Sequence, residues 1–141
     1  MEAIILQLRG MQLFSHNAHN LMGRMTFFSD HEFFGDVYTE LESDYDSVVE
    51  RTIGLMGEQA TGLNTLPEKL AQKLKKYPCF DVKDNEVFFQ SLLSSEMELC
   101  KSIKEQLTKI KGASPGVEQL LGEICNKSEM RQYKIKQRLK K

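Results

Sequence analysis

SDHEFFGDVYTELESDYDSVVERTIGLMG, residues 29–57, decides the fold. Phe34, Val37, Leu41, Tyr45, Val48, Thr52 and Leu55 recur at three- and four-residue steps. That spacing lines one face of an α-helix for about seven turns. Ser29 followed three residues later by Glu32 fits a capping box, which starts this helix just before His31. Gly57 and Gly62 mark its end.

Upstream, Ile4, Leu8, Met11, Ala18 and Met22 form a stripe that predicts a first helix from Glu2 into the low twenties. Gly23 and the following RMTFFS are either its frayed end or a connection. Downstream, Thr65 with Glu68 makes a second capping box, with Pro67 in the first turn of a short helix through about Lys75. Asp84 is a candidate N-cap for a third long helix carrying Phe88, Leu92, Leu99, Ile103, Leu107 and Ile110. GASPG, residues 112–116, breaks it. Ser114 before Pro115 then starts a fourth, with Leu120, Leu121, Ile124, Ile135 and Leu139 as its apolar positions. Four helices of roughly 25 residues, each ~37 Å long, make an all-α four-helix bundle. The short helix in the long connection between helices 2 and 3 gives that bundle a ferritin-like layout.

The chain of 141 residues is expected to be a single domain, 1–141, large enough for one core. Its three cysteines, Cys79, Cys100 and Cys125, include no C-x-x-C pair, so the sequence suggests neither a disulfide framework nor a thiolate zinc site. Absence of a signal-like or membrane-spanning apolar run leads to the expectation of a soluble cytoplasmic protein with no membrane partner. The net charge of −1 hides an asymmetry: residues 1–66 carry three Lys/Arg against ten Asp/Glu, residues 67–141 sixteen against ten.

Two of the three histidines, His19 and His31, bracket the junction of the first two helices, and Asp46 and Glu50 follow at i, i+4 spacing. With His31 set to zero on a helical projection, Gly35 falls near ~40°, Asp46 near ~60° and Glu50 near ~100°, beside the core stripe and not within it. Asp46 is ~22 Å along the axis from His31, so only two chains can bring them to one metal. Antiparallel copies about a two-fold axis near the middle of this helix would do so. Two imidazoles and two carboxylates suit Fe(II), Mn(II) or Zn(II). The bland alternative is a capping histidine and a wetted carboxylate pair. A di-iron centre inside one bundle would need Glu-x-x-His motifs, and Leu13, His16 and Phe28 stand three residues before the histidines instead. His16 is either an additional ligand or proton relay beside His19, or a surface histidine.

The run from His19 to Gly57, HNLMGRMTFFSDHEFFGDVYTELESDYDSVVERTIGLMG, resembles the signature of the Dps family, the mini-ferritins that protect bacterial DNA under starvation and oxidative stress. His19, His31, Asp46 and Glu50 match that pattern position for position, and Arg51 follows the glutamate as in the family. Two departures stand out: Asn20 replaces the family's usual Trp, and Gly35 replaces an aspartate, with Asp36 one position late. A one-residue offset turns a carboxylate by ~100°, so Asp36 does not simply stand in for it: the iron site is weakened, or a water or Glu32 completes it. The resemblance implies a dodecameric shell built from two-fold dimers, with Fe(II) held between His19 and His31 of one chain and Asp46 and Glu50 of the other. It implies a ferroxidase that uses hydrogen peroxide and stores ferric mineral inside the shell. Glu42, Asp44, Glu96 and Glu98 are candidates for a mineral-nucleating wall by charge alone, a solvated outer face being the other reading.

DNA is a further candidate partner. The first helix begins too close to Met1 for an N-terminal tail, but Arg131, Lys134, Lys136, Arg138, Lys140 and Lys141 gather at the other end. Their first reading is the exposed face of the last helix; displayed by twelve subunits, they could also bind DNA multivalently. The competing functional reading is a Dps-like shell with weakened ferroxidase activity, acting as a structural or DNA-protecting particle. A metal-free adaptor bundle would be favoured only for a monomer.

Overall fold

A computed structural model of the chain describes residues 1–57, 66–78, 84–110 and 112–140. Its regular structure, among the described residues, is α1 (Glu2–Leu21), α2 (Phe27–Met56), α3 (Leu66–Leu74), α4 (Asn85–Lys109) and α5 (Pro115–Arg138). The four long helices and the short one in the crossover are those the periodicity predicts. Gly62, Thr65, Cys79 and Lys141 lie outside the described residues.

Two of the expected start signals operate as read. The Asp84 carboxylate accepts from the Glu86 backbone N–H at 3.0 Å, and the Ser114 hydroxyl oxygen accepts from Val117 N–H at 3.4 Å with Pro115 in the first turn. Gly57 closes α2 at φ 82°, in the left-handed region that glycine enters without steric cost.

The Ser29–Glu32 capping box is a misreading: α2 begins at Phe27 with Thr26 at the cap. The Ser29 hydroxyl instead donates back to Thr26 O at 3.1 Å. What fixes this end is tertiary. Asp30, only 1% exposed, accepts from the Thr26 hydroxyl (2.7 Å), Asn85 Nδ2 (3.0 Å), and Arg138 Nε and Nη2 (2.9 and 3.0 Å). The starts of α2 and α4 are thereby tied to the end of α5. Burial alone would raise the Asp30 pKa, but the bonds from Arg138, Thr26 and Asn85 outweigh it and hold the carboxyl below its ordinary range.

α1 packs most extensively on α2, and α4 on α5; α1 meets α4, α2 meets α5, and α3 lies along α1. The core runs through Leu8, Met11, Phe34, Leu41, Phe88, Leu92, Leu99, Leu121 and Ile135. Phe14 stacks on Tyr77 at 4.3 Å between ring centroids, which helps seat α3 and the turn after it on α1. Along the expected stripe of α2, Phe34, Val37, Leu41, Val48 and Thr52 are buried, but Leu55 is 58% exposed and lines an open cleft with Leu120 of α5.

A second polar knot crosses the bundle. Glu96 on α4 is wholly buried and receives Arg131 Nε at 2.6 Å, Arg131 Nη2 at 3.2 Å and the Ser128 hydroxyl at 2.6 Å. Arg131 also reaches Glu40 on α2 at 2.9 Å. Burial pushes the Glu96 carboxyl up, against the pull of Arg131 and Ser128. Asp44, 3% exposed, pairs with Lys127 at 2.7 Å. Glu96 and Asp44 are therefore interior ion-pair partners and not wall residues, which corrects two of the four nucleation candidates; Glu42 and Glu98 are exposed.

Candidate metal centre

His19 closes α1 and His31 opens α2. Because α1 and α2 run back on one another through a short connection, the two side chains meet, their rings stacked at 3.6 Å between centroids and 25° between planes. Each is pinned by the other's backbone. His19 Nδ1 lies 2.8 Å from His31 O, and His31 Nδ1 lies 2.8 Å from His19 O. A carbonyl can only accept, so both Nδ1 atoms carry the proton and donate. In the neutral rings this fixes the tautomer and leaves Nε2 as a bare lone pair, the arrangement a histidine metal ligand requires. Neither Nε2 has a hydrogen-bond partner among the described residues.

Aromatic neighbours hold the pair from both sides. Phe27 stacks on His31 at 4.9 Å, and Tyr38 meets His19 edge-on at 5.4 Å. His16 is exposed and stacks on Tyr38 at 4.3 Å, with its ring 6.5 Å from that of His19. Gly35 has a steric role: a Cβ there would stand 3.2 Å from His19 Nδ1 and 3.3 Å from its Cε1. The bare glycine lets the His19 ring lie where it does.

The carboxylates are elsewhere on the chain's surface. Asp46 and Glu50 are exposed on the same helix, about four and five turns beyond His31. Glu32 and Asp36 are exposed in the first turns of α2. Within one chain the histidines thus have no third ligand: among the described residues, the group of three metal-binding side chains with mutually close donor atoms is Cys100, Cys125 and Glu129. Sequence spacing gives no sign of that second group, which is formed by packing α4 on α5.

α2 presents one further pattern. Phe28 and Asp46 fall at the same azimuth, ~60° from His31, Glu32 and Glu50 share ~100°, and Thr39 lies between at ~80°. Exposed apolar side chains stand at the N-terminal end of this outward stripe, Met25 (102%) and Phe28 (83%), whereas Leu55 (58%) at the far end of α2 lies on the opposite, core-facing side. Arg51, beside Glu50, lies over Gly116 of α5, where a Cβ would come within 3.1 Å of its Nη1.

Four long helices with a short helix in the crossover and a histidine pair at the α1–α2 junction define a ferritin-like helical bundle. In particular, the chain has the fold of the crystal structure of Dps92 from Deinococcus radiodurans, with a TM-score of 0.82 over 97% of this chain and 81% of that one, at 20% sequence identity. No protein-family model matches the chain, and no curated protein matches it in sequence. Among the described residues no helix is long and apolar enough to cross a membrane.

Proposed function

We propose that the chain is a Dps-like ferroxidase and iron-storage protein, working in the cytoplasm as a dodecameric shell of two-fold dimers. One ferritin-like domain over residues 1–141 is the repeating unit. The observation that carries this reading is the reciprocal Nδ1–carbonyl lock, which presets two imidazoles as ligands while leaving the centre short of carboxylates. Asp46 and Glu50 of a two-fold partner supply them. A dyad near Thr39 sets Glu32 opposite Asp46 and Phe28 opposite Glu50, so the exposed Phe28 is covered in the same step. Facing carboxylates repel unless a cation lies between them, which makes Fe(II) part of the interface's charge balance.

The iron is substrate. His19 and His31 bind Fe(II) through neutral Nε2, Asp46 and Glu50 neutralise its charge, and the small donor set leaves positions open for oxidant. Hydrogen peroxide takes one electron from each of two Fe(II) ions and two protons, giving two waters and no hydroxyl radical. Gly35 removes one carboxylate of the family pattern; Glu32, across from Asp46 at the dyad, is the replacement on hand, with Asp36 and His16 as the other donors near that end of α2. Zn(II) or Mn(II) would compete for the same donors.

A second reading, a ferroxidase-weakened shell that protects or organises DNA, is favoured by Gly35. It has less charge than the sequence offers, because Arg131 and Arg138 are committed to Glu96 and Asp30. Lys134, Lys136 and Lys140 remain on the surface of the C-terminal end. Anaerobic addition of Fe(II) followed by peroxide, read as ferric absorbance, separates the two. Fast formation of a soluble ferric product, slowed at least about 10-fold in Asp46→Ala, is expected; oxidation no faster than in buffer would select the second reading.

A further inference from the structure

Cys100 on α4 and Cys125 on α5 face one another with Sγ atoms 3.3 Å apart, both half-buried. One turn beyond Cys125, Glu129 places Oε1 3.8 Å from the Cys125 sulfur, and the three donor atoms all lie within 4.8 Å of one another. From these positions we propose a second metal site, independent of the histidine centre, in which Cys100, Cys125 and Glu129 bind a zinc-class divalent ion.

The spacing suits such an ion. Tetrahedral coordination with Zn–S near 2.3 Å and Zn–O near 2.0–2.2 Å separates two sulfurs by ~3.8 Å and sulfur from oxygen by ~3.5 Å. Two of the three present separations, 3.3 and 3.8 Å, differ from these by roughly half an ångström or less, and the third, Cys100 to Glu129, lies within 4.8 Å and closes by rotation of the exposed Glu129 side chain. Two thiolates and one carboxylate form a donor set softer than that of the histidine–carboxylate centre, and select zinc over Fe(II), Mn(II) or Mg(II).

A supporting shell is already in place. Gln132 Nε2 lies 3.5 Å from Cys100 Sγ and can donate to the thiolate. Ser128 Oγ, its own proton given to buried Glu96 at 2.6 Å, accepts from the Cys100 thiol at 3.3 Å and so fixes the position of that sulfur without donating to a thiolate. Outer groups of this kind orient ligands and tune metal affinity. An open cleft of about 520 Å³, lined by Cys100, Cys125, Asn126, Glu129 and Lys104, gives an ion access and leaves the fourth position to water. Binding is written Zn²⁺ plus two thiols and one carboxylate giving the bound ion plus two protons released; nothing is oxidised or reduced. The site bridges α4 and α5, so the bound ion acts as a clamp on that hairpin.

The test uses Co(II) as probe on the full chain, kept reduced, in a His19→Ala/His31→Ala background that removes the other centre. We expect a thiolate-to-cobalt charge-transfer band with tetrahedral d–d bands, displaced by Zn(II), one ion per chain, and a rise in melting temperature on zinc addition. Cys79→Ser should keep the band. Cys125→Ser should lose it, and Glu129→Gln, an exposed substitution that leaves folding intact, should weaken cobalt binding at least about 10-fold. Absence of the band in the reduced parent, its persistence in Cys125→Ser, or unchanged affinity in Glu129→Gln would each overturn the assignment.

Discussion

The ring of His19 lies over Gly35, its Nδ1 3.2 Å from the place a Cβ would occupy. A side chain at position 35 and the present seat of His19 therefore compete for the same space. Gly35→Ala should leave global stability nearly unchanged, since a helix-propensity gain of up to ~1 kcal/mol is set against the crowding. It should nevertheless shift His19 and weaken metal binding at the histidine centre. Urea unfolding together with Co(II) titration checks both halves: a stability change within about 1 kcal/mol and a clear loss of affinity.

The Glu96–Arg131 pair predicts a different pattern. Removing one partner leaves the other charged and buried, so Arg131→Met alone should cost roughly 3–5 kcal/mol. The double variant Glu96→Leu/Arg131→Met removes both charges and should recover much of that loss. Equilibrium denaturation of the single and double variants gives the coupling directly.

Asp30 makes stability depend on acid. Its folded pKa is lowered from the ordinary 3.8, so below that value the unfolded chain binds more protons than the folded one. The contribution is fully present above pH ~4 and is lost as pH falls through the folded value. Asp30→Asn should cost about 2 kcal/mol at neutral pH and flatten this acid limb, which a pH series of melting temperatures would reveal.

Much of this was legible in the chain, and the illegible parts share one cause. Asp84, Ser114 and Pro115 act within a few residues of themselves, so their helix starts can be read locally. The histidine pair follows from spacing once α1 and α2 are antiparallel. The start of α2 was misplaced because Asp30 is held by Asn85 and Arg138, more than fifty and a hundred residues away. Glu96 and Asp44 looked like surface acids for the same reason: their partners lie on α5. The Cys100–Cys125 pair has no periodic trace at all, since nothing in either helix alone sets two sulfurs face to face.

In the proposed shell, Phe28 at the exposed end of the α2 stripe is the contact on which the two-fold pairing leans. Phe28→Glu, at a side chain 83% exposed in the lone chain, should shift the particle towards monomers in light scattering without lowering helix content. Asp46→Ala should leave the particle mass unchanged, because in the proposed centre it removes a ligand and not apolar contact.

The most direct measurement of the proposed two-chain centre is complementation. A His19→Ala/His31→Ala chain and an Asp46→Ala/Glu50→Ala chain are each expected to lack peroxide-driven Fe(II) oxidation. Co-assembled, every mixed dimer regains one whole centre, with histidines from one chain and carboxylates from the other, so random mixing should restore about a quarter of the wild-type centres. Recovered oxidation near that level would establish the shared site; no recovery in shells proven to contain both chains would contradict it.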